Sequence, residues 1–114
     1  MGKGVTITVL NGAGVCLGLQ RIGDPGTFTS VVADGKANAA VMMGRDSSQL
    51  AGMVERAPAM VNAMIAKSGG RFVAVAGGVA IMQDGECVGA VGVSGATADE
   101  DDQIAKAGAA ALGA

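Results

Sequence analysis

The sequence predicts an α+β protein: a five-stranded antiparallel sheet with helices laid across it. Three observations carry this. Val5, Ile7 and Val9 alternate with Thr6 and Thr8 before the turn signal Asn11-Gly12, the period-two pattern of a strand entering a hairpin. Apolar residues after Phe28 fall instead at helical spacing, at Val31, Val32, Ala39, Met42 and Met43. Three short β-prone runs then precede a final helix, and that order suits an antiparallel sheet with helices packed on it.

The elements follow in order. The first hairpin pairs residues 5–10 with 15–21. Gly35 lies on the apolar face of the helix that follows, which predicts a close crossing there. Ser47 is placed to cap a second helix with the face Leu50, Met53, Val54 and Ala57, and Pro58 forces a break before Met60, Met64 and Ile65. Ser68-Gly69-Gly70 ends that segment. Residues 71–76, 79–83 and 86–93 are the three β-prone runs, and Asp84-Gly85 suits a type I′ hairpin between the last two. Thr97-x-x-Glu100 forms a capping box, with Asp99, Asp101 and Asp102 in the first turn, where the positive end of the helix dipole favours acids.

Composition narrows the function. Residues 1–114 are read as one domain. Eight basic residues against ten acidic ones, a net charge of -2 and two aromatic residues provide neither the basic stripe nor the stacking platform of a nucleic-acid reader. No apolar run is long enough to cross a bilayer and no signal peptide opens the chain, so the expected location is cytoplasmic. Cys16 and Cys87 are expected as buried, reduced thiols. The absence of histidine removes the commonest general base and metal ligand, and the adjacent acids of the last helix point in different directions, so no metal site is expected.

The run GGV, a hairpin, VGAVGVSGAT, an acidic cluster and an Ala-rich helix resembles the GlcG/HbpS-like family, which includes the C-terminal domain of PduO-type proteins. VTITVLNGAG, LQRIGD, Lys36-Ala37 and Gly44-Arg45 extend the resemblance over nearly the whole chain. It implies a profilin-like fold, homo-oligomers, and haem or another small ligand. The sequence departs from the family pattern in three ways. The helix that usually precedes the first strand is missing, Ala80 stands where many relatives have proline, and the histidine used by haem-binding members has no counterpart. The cofactor therefore stays open, since haem cannot be held through a histidine of this polypeptide.

The candidate ligand-binding residues are Arg21, Lys36, Arg45, Ser94, Gly95 and Thr97. Ser94 to Thr97 join a strand to a helix, where backbone N–H groups and two hydroxyls converge. Any of the three cations is suited to a ligand carboxylate, with Lys36 expected to lay its stem on apolar surface and lift its amine to a rim. Structural roles compete for every one of these residues. The leading expectation, resting on the resemblance, is an oligomeric, non-catalytic or accessory protein that binds a small ligand, a tetrapyrrole being one candidate, in a pocket at an oligomer interface. A small enzyme acting on a carboxylate or carbonyl metabolite, and a structural subunit of a hetero-oligomer, are the alternatives.

Overall fold

The computed structural model describes residues 4–113. Strands β1 (Gly4–Asn11) and β2 (Cys16–Gly23) form the first hairpin. Helix α1 (Thr29–Met43), a 3₁₀ turn (Ser47–Leu50), α2 (Met53–Arg56) and α3 (Pro58–Lys67) follow. Then come β3 (Gly78–Gln83), β4 (Glu86–Ser94) and α4 (Ala98–Gly113). The sheet is antiparallel, in the order β2-β1-β4-β3. The β3–β4 turn has φ of 52° at Asp84 and 81° at Gly85, the two positive values that type I′ requires.

The sheet separates two apolar layers, as the period of two dictates. Val5, Val79, Ile81, Val91 and Val93 project to one side and pack with Ala105 and Ala109 of α4. Leu10 and Ala90 project to the other and pack with Ala37 and Ala40 of α1. The predicted close crossing at Gly35 is present: a Cβ there would strike Val73. A third cluster, Ala39, Leu50, Val61 and Phe72 with Met43, Met53 and Met64, joins α1 to α3 and accounts for the helical spacing of those methionines.

The sheet has four strands among the described residues, not five. Residues 71–76 are β-prone but run as an irregular segment, because α1 claims their backbone. The Val73 N–H donates to the Gly35 carbonyl at 3.1 Å, and the Arg71 carbonyl accepts from the Asn38 amide at 2.7 Å. The outer edge of β3 is also occupied by side chains. Ser47 Oγ accepts from the Gly78 N–H at 2.8 Å, and Asp46 Oδ1 accepts from the Ala80 N–H at 3.0 Å. Two polar side chains on the N–H groups of an edge strand leave no ladder for a fifth strand. Ser47 accordingly does not cap a helix; its hydroxyl also donates to the Val75 carbonyl at 2.6 Å and fastens the irregular segment to β3.

The thiols correct a second expectation. Both cysteines are free, but Cys16 is exposed and Cys87 half-buried. Cys16 lies on β2, every residue of which is exposed, because β2 is an edge strand that neither α1 nor α4 covers.

Candidate functional site

The strand-to-helix turn after β4 is held by the acids that follow it. The capping box forms as the spacing predicts: the Glu100 N–H donates to Thr97 Oγ1 at 3.2 Å, and the Thr97 N–H donates to Glu100 Oε1 at 3.1 Å. Those bonds hold the Glu100 carboxyl below its ordinary range, the backbone bond at Thr97 contributing most. A lowered carboxylate adds stability above the ordinary glutamate range and loses it as pH falls through the folded value. Thr97→Ala removes the Oγ1 cap of the Glu100 N–H and is expected to cost about 1 kcal/mol. The Thr97 N–H that holds the carboxylate is backbone and survives the substitution, so most of the deficit should persist in acid, as denaturant titrations at two pH values would show.

Asp101 corrects the reading of both the acidic block and Lys36. Rather than lifting its amine to a rim, Lys36 is 3% exposed, and its amine donates to Asp101 Oδ2 and to the Val93 carbonyl, each at 3.0 Å. Asp101 is equally buried, and its Oδ1 accepts the Ala96 N–H at 2.9 Å. One ion pair thus ties α1, the end of β4 and the first turn of α4 together. Both groups are satisfied by protein partners, which suits a structural lock better than a base or a ligand anchor.

Arg21, on β2, reaches across to the start of α1. Arg21, Thr6 and Ser94 form one row across β2, β1 and β4. Its guanidinium donates to the Pro25 carbonyl at 2.7 Å and to Ser30 Oγ at 3.2 Å, while Thr6 Oγ1 meets Thr29 Oγ1 at 2.8 Å. Arg21 therefore pins the 24–28 loop against the helix. Ser94 is buried, Gly95 and Thr97 are exposed, and Arg45 is exposed beyond the far end of α1, about 22 Å from its start at 1.5 Å per residue. Arg21 and Ser94 share one end of the sheet, Lys36 faces α4, and Arg45 stands apart.

Sequence reasoning missed two features. Arg71 grips Asp34 with two nitrogens, at 2.8 and 3.0 Å, and donates to the Gly14 carbonyl at 2.7 Å. The Asp34 bond raises the guanidinium pKa further. The second feature is an open depression of about 340 Å³ lined by Ile7, Val9, Gly18, Leu19 and Gln20. Helix α4 packs mainly on β3 and β4, so on this side β2 is uncovered and β1 is covered only in part, Val5 being buried and Ile7 and Val9 half-buried against the α4 cluster. Ile7 faces Gln20 and Val9 faces Gly18 across the strands, so the floor is apolar, with one position lacking a side chain. The alternation at residues 5–9 could have located the apolar face, but only the position of α4 shows which part stays open.

A single antiparallel sheet with α1 on one face and α4 on the other, joined by a lysine–aspartate lock at the β4–α4 turn, defines a small α+β fold with an open depression on its β1–β2 part. The chain belongs to the HbpS-like family: the family model described as haem degrading protein HbpS-like matches residues 1–110. Among solved structures it is similar to a double mutant of Streptomyces reticuli HbpS, with 33% identity and a TM-score of 0.85 over 99% of this chain and 74% of that one. It is similar also to a PduOC–heme complex, with 28% identity and a TM-score of 0.82 over 95% of this chain and 78% of that one. Klebsiella pneumoniae protein ORFY shares the fold, at 21% identity and a TM-score of 0.87 over 99% of this chain and 77% of that one. A comparison with curated protein sequences gives no match. No helix among the described residues is long and apolar enough to cross a membrane, and no cluster of potential metal ligands occurs among them.

Proposed function

We propose that this chain is an HbpS-like accessory protein that binds a small planar ligand of the tetrapyrrole class and works as a homo-oligomer. The observation that carries the reading is family membership over residues 1–110, supported by the likeness to a heme complex across 95% of the chain. The apolar depression on β1 and β2 is the surface suited to a flat ring. Exposed Val15, Leu17, Leu19 and Ile22 on and beside the edge strand supply apolar surface for association with other copies.

Haem fits this chain only in part. An apolar ring finds a matching floor, but the usual side-chain ligands for its iron do not border it: the chain has neither histidine nor tyrosine, and no sulfur lines the depression. The enzyme reading gains nothing from Lys36, whose amine is buried and paired with Asp101.

Native mass spectrometry of the protein purified from its own host tests the proposal. The expected result is a homo-oligomer carrying a tetrapyrrole mass. A bare chain, a ligand of another class or a foreign subunit would overturn it.

A further inference from the structure

The chain's donor set separates recognition of a ring from recognition of its metal. Cys16 stands opposite Leu10 in the register, and its sulfur approaches Thr8 Oγ1 at 3.6 Å. Leu10 belongs to the α1 side of the sheet, so this thiol lies on the face opposite the depression. The Cys87 sulfur rests 3.3 Å from the Gly89 carbonyl, on β4. Met42 accepts from the Asn38 amide at 3.4 Å, and Met43, Met53 and Met64 are packed around Phe72. Met60 is exposed on α3, and Met82 is exposed on β3, the opposite edge of the sheet from β2. No sulfur-bearing residue thus lines the depression floored by Ile7, Val9 and Gly18.

Resting on the tetrapyrrole reading, we infer that the β1–β2 depression takes the ligand by its ring face, with no protein ligand to the metal, so that metal-free and iron-loaded tetrapyrroles are bound alike. Two features of the floor favour a flat apolar face. Ile7 and Val9, half-buried against the α4-side core, leave part of their branched side chains lining the depression, and Gly18 beside them carries none: a Cβ built there meets nothing within 4 Å. None of the five lining residues is charged, so contact area rather than an ion pair provides the affinity. A site of this kind discriminates by shape and apolar area, and the metal at the ring centre contributes only through whatever solvent or exogenous ligand it retains.

The test is a pair of titrations of the full chain, with haemin and with metal-free protoporphyrin IX, followed by Soret absorption and by porphyrin fluorescence. Both rings should bind with dissociation constants within about threefold of each other, well under the tenfold that 1.4 kcal/mol represents. The bound haemin spectrum should be the same in Cys16→Ser. Gly18→Phe places a ring over the floor and should weaken both ligands by about tenfold or more, with a thermal midpoint no lower than that of the parent, because the position is open and aromatic residues suit strands. Binding of haemin without protoporphyrin, or loss of the haemin spectrum in Cys16→Ser, would overturn the inference and leave the tetrapyrrole reading standing. Equal binding of both rings that Gly18→Phe leaves untouched would overturn the placement in the depression. Failure of both rings to bind would overturn the tetrapyrrole reading and the inference with it.

Discussion

Replacing Lys36 with methionine should lower the unfolding free energy by about 3–5 kcal/mol, the cost of leaving one member of a buried ion pair without its partner. The side chains of Lys36 and Asp101 are 4% and 3% exposed, so solvent does little to compensate the charge that remains. Methionine approximates the lysine stem, so packing around α1 is largely retained and the loss reports the charge. The Val93 carbonyl loses its donor in the same variant. Urea denaturation should show a lower midpoint at an unchanged slope, the signature of altered stability without altered compactness. Adding Asp101→Leu removes the stranded carboxylate but also leaves the Ala96 N–H without its acceptor, an orphan worth about 1–3 kcal/mol. The double variant should therefore recover only part of the loss. A single-variant deficit under about 1 kcal/mol would place the pair among weak, solvated ion pairs and remove its role as the lock between α1 and α4.

Why the sequence showed some of this and hid the rest follows from the range of each interaction. The β1–β2 hairpin, α1, the Asp84-Gly85 turn and the Thr97–Glu100 box are local: their partners lie within a few residues, and periodicity or spacing finds them. The Lys36–Asp101 pair spans 65 positions, and nothing in either neighbourhood names the other. Lys36 was legible as an unusual cation on an apolar helix face, yet whether its amine reached solvent or a carboxylate depended on where α4 crossed the sheet. The missing fifth strand has the same origin. Residues 71–76 carry β-prone side chains, but Asn38 and Gly35 supply their backbone partners, while Asp46 and Ser47 occupy the edge they would have joined. Of the candidate site residues, Ser94 and Thr97 were correctly placed at the strand-to-helix turn. The depression was invisible, because it is defined by what α4 does not cover.

Gly92→Val should be among the most damaging single-site changes on the sheet, costing about 3 kcal/mol or more, the upper range for overpacking a core. Gly92 sits opposite Thr8 on β1 and Gly78 on β3, on the side where α1 lies. A Cβ there would run into the Ala33 carbonyl and stand 2.9 Å from the Ala37 Cβ. The obstacle is helix backbone, which cannot swing aside as a flexible side chain can. Ala33, Ala37, Ala39 and Ala40 are all fully buried, which shows how little space separates α1 from its neighbours. Lifting the helix to admit a valine would also draw Lys36 away from Asp101, so the damage couples to the lock. Gly18→Val is the control on the same sheet: its side chain enters open space and should leave stability within about 0.5 kcal/mol of the parent. Soluble yield and denaturation midpoints of the two variants separate the effects. Equal behaviour would mean that α1 rides on the sheet with room to spare. The expected divergence would show instead that glycine on β4 sets the helix height, and that the β2 glycine stands in open space.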